Sequence, residues 1–241
     1  MVDDAGIRRS VLSEQVKGRL LQAILDGRYP PGARIVETRV AKEFGTSQAP
    51  VREALRDLEG LGVVETAPFK GASVRQPTMD ELTEAFEVRA ILEGHGAVMA
   101  VEHIGEPDLA HLAELIDRMR EAAAAGDAVT EAAVDTEFHR LIIHNSGNAT
   151  LERVWSKLEP FLRTYITIVS LSTGADRRAV ADRHLPIIEA LRRADPALIE
   201  EAFRVHFVEA ASALAEAWPL HSGGGDDAGG HRPGDMPAIA I

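Results

Sequence analysis

Residues 37–60 read ETRVAKEFGTSQAPVREALRDLEG and predict two short helices joined by a tight turn. Gly45 can end the first helix, because glycine accepts the left-handed conformation of a helix C-cap. Ser47 can cap the second helix through its hydroxyl group, and Pro50 is tolerated in the first turn of a helix. The second helix carries an apolar stripe made of Val51, Ala54, Leu55 and Leu58.

Two helices joined in this way are typical of a helix-turn-helix whose second helix enters the major groove of DNA. The N-terminus of the second helix then faces the nucleic acid, where its backbone amides and dipole favour phosphate. Ser47, Gln48 and Arg52 are expected to point outward, near the edges of the bases. A helical hairpin in any all-α domain has the same pattern, so the helices alone leave both interpretations open.

The residues after the second helix favour a DNA-binding unit. Residues 61–65 and 72–75 form two short valine-containing runs separated by a turn, which predicts a β-hairpin. The turn holds Lys70 and Gly71, so the tip of this hairpin is basic. A hairpin with a basic tip next to a helix-turn-helix is a wing, and we expect Lys70 and Gly71 to contact DNA.

The stretch FGTSQAPVREAL, residues 44–55, resembles the hallmark motif of the winged-helix regulators of the GntR family. The resemblance extends to residues 29–32 and to Lys70-Gly71, so that it covers nearly all of residues 8–76. It implies a DNA-binding domain over residues 1–76 that binds a palindromic operator in double-stranded DNA as part of a homodimer. It also implies that Arg52 contacts DNA.

Gln48 and Ala49 depart from the family pattern. Family members commonly carry Arg-Thr at these positions, and the family arginine reads bases. Glutamine forms a bidentate pair with adenine, whereas arginine prefers guanine. The operator sequence therefore cannot be transferred from relatives, although Ser47, Gln48, Ala49 and Arg52 remain the expected reading residues.

The formal net charge of −12 is unevenly distributed along the 241 residues. Residues 1–76 hold 12 Lys and Arg against 10 Asp and Glu, a balance of +2, which leaves a balance of −14 for the rest. An acidic second domain repels DNA, so phosphate contacts are expected in the first domain only. The absence of cysteine, of a signal-peptide pattern and of a long apolar run predicts a cytoplasmic protein that does not enter a membrane.

The expected fold class is mainly α, with a winged helix-turn-helix followed by an all-helical domain over residues 77–221. Thr78 and Glu81 have the spacing of a capping box, which predicts that a helix starts at Met79. Breaks in the helical pattern predict a six-helix bundle. Its helices are expected at about residues 79–103, 108–125, 129–145, 148–171, 176–193 and 196–217. Residues 222–241 are rich in glycine and are expected to form a disordered tail.

Four side chains of the second domain have the spacing of a metal site. Asp135 and His139 are four residues apart, so they lie one turn apart on one face of a helix. His184 and His206 each lie 11 residues from Asp195, which is expected to cap a helix that begins with proline. An antiparallel hairpin folded at Asp195 brings both histidines to the same level, about 16 Å from the turn.

One carboxylate and three imidazoles suit a divalent metal ion, with zinc as the first expectation and nickel, manganese or iron as alternatives. Such a site retains open coordination positions for a small molecule. The spacing alone is also consistent with ordinary core or solvated pairs. Arg89, an arginine on the apolar first helix of this domain, is a further candidate for contact with an anionic effector.

The motifs around these residues resemble the all-helical FCD domain of FadR-type regulators. They are FEVRAILE at residues 86–93, DTEFHRLI at 135–142, SGN at 146–148, RHLPII at 183–188 and RVHF at 204–207. In metal-bearing members the aspartate and three histidines at these positions bind the ion, which implies that role for Asp135, His139, His184 and His206. Members that bind acyl-CoA lack part of this set, so the complete set argues against that ligand.

The resemblance implies a metabolite-responsive regulator, expected to be a repressor, whose effector is a small carboxylate or a sugar acid. The effector is expected to occupy the open positions of the metal and to reposition the DNA-binding domains of the homodimer. The alternative is a metal-dependent enzyme acting on a small organic acid, since the same four ligands can activate water. The sequence offers no distinctive general acid or base beside the site beyond Glu137, which is expected to be solvated.

Overall fold

The computed structural model of the protein describes residues 4–25, 27–67, 69–173 and 178–217. The chain divides into two compact units, Met1–Gln76 and Pro77–Ile241. The tail expected at residues 222–241 lies outside the described residues. Within the described ranges, no helix has the length and apolar content needed to span a bilayer.

The described residues of the first unit form three helices and a small antiparallel sheet. Its helices are α1 (Asp4–Leu25), α2 (Glu37–Phe44) and α3 (Gln48–Gly60), and its strands are β1 (Arg34–Ile35), β2 (Val64–Ala67) and β3 (Gly71–Val74). The strand order is β1-β3-β2, with Val64 opposite Val74 and Ile35 opposite Ala72. The helix-turn-helix and the hairpin wing are therefore confirmed, whereas strand β1 is too short to leave an alternating pattern in the sequence.

The turn between α2 and α3 forms as expected at Gly45 but not at Ser47. Gly45 has a φ angle of 68° and ends α2 in the left-handed conformation. Ser47 is the N-cap residue of α3 and has an extended backbone, yet its hydroxyl makes no capping hydrogen bond. The expectation of a hydroxyl cap is wrong. Pro50 occupies the third position of α3 and has no N–H, so only the N–H of Ala49 is left as a possible partner for a capping hydroxyl.

Helices α1 and α3 pack against each other to form the core of the first unit. The buried side chains include Val16, Leu20 and Ile24 of α1 and Val51, Leu55 and Leu58 of α3. Because the expected apolar stripe of α3 faces α1, the side of α3 that carries Gln48, Arg52 and Arg56 remains exposed. The N-terminal half of α3 is thus accessible to a partner.

Seven helices make up the described part of the second unit, and the mainly α fold class is confirmed. They are α4 (Met79–Ala100), α5 (Glu106–Ala125), α6 (Ala128–Asn145), α7 (Ala149–Thr173), α8 (Arg178–Asp182), α9 (Leu185–Arg193) and α10 (Pro196–Ala217). The single fifth helix expected at residues 176–193 is interrupted at Arg183 and His184. Pro186 explains the interruption, because proline has no N–H to donate to the carbonyl of Asp182 in a continuous helix.

Helix α4 packs against three other helices of this unit, α10, α6 and α7. One glycine on α4 allows a neighbour to approach closely. A Cβ atom at Gly96 would lie only 3.0 Å from Cδ1 of Ile143 on α6, whereas one at Gly94 would lie 3.5 Å from the Cα atom of Glu200 on α10, an ordinary van der Waals distance. Side chains of α4 can therefore meet those of α6 and α10 in one buried cluster.

Helix α4 begins with the expected capping box. The Thr78 hydroxyl accepts a hydrogen bond from the Glu81 N–H at 3.2 Å, and the Glu81 carboxylate accepts one from the Thr78 N–H at 2.9 Å. Two backbone groups that lack a partner within the helix are thereby satisfied. The sequence prediction for this helix start is confirmed.

We expect Thr78→Ala to lower the free energy of unfolding of the helical unit by about 1 kcal/mol, because the first turn of α4 loses its cap. Thr83→Ala is the matched control, since the Thr83 hydroxyl donates to the Met79 carbonyl one turn earlier, at 2.9 Å. The control should change the free energy by no more than about 0.5 kcal/mol. Urea denaturation followed by circular dichroism measures both values. Equal losses for the two variants would contradict the capping role.

Candidate functional site

Three buried histidines of the second unit converge on one point. One nitrogen atom from each of His139, His184 and His206 lies within 4.8 Å of the others. The ring centroids of His184 and His206 are 4.5 Å apart, and the ring of His139 lies 5.1 Å from that of His206. The Oδ1 atom of Asp135 is 3.1 Å from Nε2 of His184 and 3.9 Å from Nε2 of His139. The structure thus brings together all four residues singled out by their spacing.

Two local features of the chain produce this convergence. Asp135 and His139 lie one turn apart on α6. Asp195 accepts hydrogen bonds from backbone N–H groups in the first turn of α10 and lies in the turn of the hairpin between α9 and α10. His206 lies within α10, whereas His184 lies at the break between α8 and α9 rather than inside a helix. Their equal distances from Asp195 along the chain nevertheless put the two rings side by side.

The nitrogen atoms of this cluster lack the partners that buried polar atoms normally have. Within the described part of the chain, no hydrogen bond reaches Nε2 of His139, Nε2 of His184 or Nδ1 of His206. Nδ1 of His184 lies 3.1 Å from the carbonyl oxygen of Ala181, to which it can donate a hydrogen bond, while Nε2 faces the Asp135 carboxylate. Imidazole nitrogens left without partners beside a carboxylate fit the donor set of a divalent metal ion.

The protonation states of the cluster also suit a metal ion. Burial alone would raise the pKa of Asp135, but contact with the rings of His184 and His139 holds that pKa well below its usual range. Burial lowers the pKa of His206 well below its usual value, and the charges of the two neighbouring histidines lower it further. Asp135 is therefore ionised and His206 neutral near pH 7, which are the forms that bind metals.

A cavity of about 490 Å³ opens beside the cluster and is lined by Phe86, Arg89, Asp135, His139, His206 and Phe207, among others. Its volume and its mixture of apolar and charged walls suit a small organic molecule. Arg89 is buried in this wall, with its guanidinium carbon 4.7 Å from the centroid of the Phe207 ring. The Nη2 atom of Arg89 has no hydrogen-bond partner among the described residues.

Glu93 on α4 belongs to the same cluster and is not among the residues expected from the sequence. The side chain is fully buried, and its Oε1 atom accepts hydrogen bonds from Nε of Arg89 and Nε1 of Trp155, both at 2.6 Å. Its Oε2 atom makes an ion-pair contact of 2.5 Å with Nδ1 of His139. Burial would raise the pKa of Glu93, but the charge of Arg89 and the close contact with the His139 ring lower that pKa to about 2. The available signal was the four-residue spacing of Arg89 and Glu93 on an apolar helix.

Glu137, the candidate base of the enzyme alternative, lies away from this cluster. Its carboxylate is half exposed and forms an ion pair of 3.1 Å with Arg118 on α5. It does not belong to the lining of the cavity. The expectation that Glu137 is solvated is confirmed, so this residue is not placed for acid–base chemistry at the cavity.

The residues expected to contact DNA lie at the start of α3 and at the tip of the wing. Ser47, Gln48, Arg52, Lys70 and Gly71 are exposed, and Ala49 is half-buried. Nε of Arg52 donates to Oε2 of Glu37 at 2.6 Å, and Nη2 of Arg52 donates to Oε1 of Gln48 at 3.1 Å. Gly71 has a φ angle of 80°, which favours glycine in the wing turn.

Comparison with known proteins identifies both units. Residues 12–74 match the gntR family of bacterial regulatory proteins, and residues 84–209 match the FCD domain. The chain is 35% identical over 225 residues to the probable D-xylose utilization operon transcriptional repressor of Paenarthrobacter nicotinovorans, covering 92% of this chain and 95% of that protein. It is 26% identical over 208 residues to the gluconate operon transcriptional repressor of Bacillus subtilis, with 85% of each chain covered.

The solved structure of E. coli McbR/YncC has the same fold. It superposes with a TM-score of 0.72 at 25% sequence identity, covering 86% of this chain and 98% of that one. These relatives are named as transcriptional repressors or regulators, so the expectation of a regulator rather than an enzyme is confirmed. The chain therefore belongs to the GntR family of bacterial transcriptional regulators and carries an FCD domain after its winged helix-turn-helix.

Proposed function

We propose that this protein is a repressor that acts in the cytoplasm as a homodimer and senses a small carboxylate or sugar acid through a metal-containing pocket. The observation that carries the proposal is the convergence of Asp135 and three histidines beside a cavity of about 490 Å³. Residues 1–76 would bind a palindromic operator. Residues 77–221 would bind the effector and hold the two subunits together.

Asp135, His139, His184 and His206 would hold one divalent metal ion, with zinc as the first choice and nickel, manganese or iron as alternatives. When bound, the ion supplies a positive centre with open positions for a carboxylate. Arg89 would contact a second polar group of the effector, because it lines the same cavity and has a buried donor without a partner in the described structure. Phe86 and Phe207 would shield the carbon chain of the effector from water.

The names of two relatives support a sugar-derived effector. One is a probable repressor of D-xylose utilization, and the other represses a gluconate operon. A sugar acid combines a carboxylate, which a metal ion can bind, with hydroxyl groups, which polar side chains of the cavity can bind. A sugar acid therefore matches a cavity whose wall holds a metal donor set and an arginine better than a neutral sugar does.

The start of α3 would enter the major groove with Ser47, Gln48 and Ala49 near the bases. Arg52 would read or clamp the same site, and its contacts with Glu37 and Gln48 restrain the guanidinium before DNA is bound. Lys70 and Gly71 at the wing tip would contact the phosphate backbone. Binding through these residues would weaken with added salt, because phosphate contacts release counterions.

To regulate transcription, the effector needs only a modest difference in affinity between two arrangements of the dimer. A tenfold change in operator affinity corresponds to about 1.4 kcal/mol of coupling free energy. The metal donors come from α6, from α10 and from the α8–α9 break, so an effector that binds the ion contacts several helices at once. A small change in their packing would be sufficient for this coupling.

We expect Arg52→Ala to weaken specific operator binding by about 1 to 3 kcal/mol, whereas Lys70→Ala should weaken all duplexes evenly and lower the salt slope by about 1. Lys157→Ala, which changes an exposed lysine of the second unit, is the control and should have no effect. Fluorescence anisotropy with a duplex that the protein selects from a random pool measures these affinities. A protein that selects no duplex at low salt would contradict the proposal.

We expect wild-type protein prepared without chelator to hold close to one equivalent of divalent metal per chain. The double variant His184→Ala/His206→Ala should hold none, because two of three imidazole donors are lost. The matched control is His111→Ala/His144→Ala, which removes two histidines of the same unit that are 45% and 71% exposed. Elemental analysis by mass spectrometry measures the content. Equal metal content in the two double variants would rule out this site.

A further inference from the structure

We propose that Glu93 is a positioning residue that fixes the His139 ring in the tautomer able to bind a metal ion and that ties this ring to Arg89. Glu93 lies outside the four-residue donor set, and its role would be to orient one donor. The inference rests on the proposed function, because it concerns the same pocket. Its test is chosen so that the two can fail separately.

The position of the Glu93 carboxylate determines where the proton of His139 lies. A neutral imidazole carries its proton on only one of its two nitrogens. Nδ1 of His139 is 2.5 Å from Oε2 of Glu93, and a lone pair on that nitrogen would repel the oxygen at this distance. In the neutral ring this contact favours the proton on Nδ1, which leaves the lone pair of Nε2 for a metal ion.

The other nitrogen of His139 points to the proposed metal position. Nε2 is 3.9 Å from Oδ1 of Asp135, and it has no hydrogen-bond partner in the described part of the chain. A carboxylate on the far side of a metal-binding imidazole fixes the ring orientation and raises its basicity as a ligand. Glu93 lies on this far side of His139, with Oε2 in ion-pair contact with Nδ1.

The same carboxylate connects His139 to the expected effector contact. Oε1 of Glu93 holds Nε of Arg89 at 2.6 Å, while Nη2 of Arg89 has no partner among the described residues at the cavity wall. An anion that draws Arg89 toward itself would also pull on Glu93 and would change the orientation of the His139 ring. Glu93 would thus couple the binding of an effector to the geometry of the metal centre.

A purely structural role for Glu93 makes a different prediction. The carboxylate also accepts a hydrogen bond from Nε1 of Trp155 on α7 at 2.6 Å, so it could serve only to neutralise Arg89 and to satisfy the indole. In that case a neutral group with an oxygen in the same place would suffice. The state of His139 would not depend on the charge of residue 93.

The substitution Glu93→Gln separates the two roles. Glutamine has the same shape and offers an oxygen to Arg89 and Trp155, which leaves its NH₂ group facing Nδ1 of His139. Nδ1 must then accept a hydrogen bond, so the proton moves to Nε2 and blocks that atom as a ligand. We expect the affinity for zinc alone, measured by competition with a chromophoric chelator, to fall about 10- to 100-fold.

Two control variants test whether the effect is specific. Glu159→Gln changes another buried glutamate, whose described contacts go to Thr136 and Arg163 rather than to a histidine. Trp155→Phe removes a different donor from the Glu93 carboxylate and leaves His139 in contact with it. Both variants should retain the zinc affinity of the wild type. A loss as large as that of Glu93→Gln in either variant would indicate a general packing effect and overturn the inference.

The tautomer of His139 gives a second readout that needs neither metal nor effector. We expect the ¹⁵N chemical shifts of chelator-treated protein to show protonation at Nδ1 in the wild type and at Nε2 in Glu93→Gln. Protonation of wild-type His139 at Nε2, or unchanged zinc affinity in Glu93→Gln, would overturn the inference. A wild-type protein that binds no zinc would instead contradict the proposed function, and the tautomer would still decide the role of Glu93.

Discussion

The burial of three imidazoles beside a carboxylate is the constraint on which the helical unit depends. His139, His184 and His206 are at most 6% exposed, and Asp135 lies within 3.9 Å of two of them. Polar groups removed from water cost several kcal/mol unless they find partners. The nitrogens left without hydrogen bonds therefore make this unit dependent on a cation, on a close carboxylate, or on both.

Three local features of the chain bring the four side chains of the cluster together. Helix α6 carries Asp135 and His139 at one-turn spacing, the capped turn at Asp195 brings α10 back beside α9, and the break before α9 places His184 among the other rings. Helix α4 supplies Arg89 and Glu93, which share a hydrogen bond of 2.6 Å, and Gly96 lets α6 pack close to its backbone. A ligand bound at this cluster would therefore lie against residues from several of the helices that pack together in the unit.

Much of this arrangement could be predicted from sequence because its signals are local. Gly45, the Thr78–Glu81 capping box and Asp195 each bond to backbone groups only a few residues away. Each adopts the expected role at a helix end. The misses have two physical causes. Pro50 removes one of the two backbone donors that the Ser47 hydroxyl could bond, and Pro186 interrupts the fifth helix expected in the second unit, because proline has no N–H.

The second cause is that some contacts exist only after the chain has folded. Glu93 contacts Trp155, which is 62 positions away along the chain, and His139, which lies on another helix. Nothing in the residues next to Glu93 indicates either partner. Its spacing from Arg89 is visible in the sequence, but the same spacing on a surface helix is an ordinary solvated pair. Burial distinguishes the two cases, and burial of α4 depends on the packing of α6, α7 and α10 around it.

Metal-dependent sensing is tested most directly by operator affinity measured for zinc-loaded and chelated protein, each with and without a sugar acid. D-gluconate and D-xylonate are suitable probes, with D-glucose and D-xylose as neutral counterparts. Sensing at the metal predicts that a sugar acid changes the operator affinity of the zinc-loaded protein by about tenfold, equivalent to 1.4 kcal/mol, and leaves the chelated protein unchanged. A response of equal size after chelation, or an equal response to the neutral sugar, would contradict it.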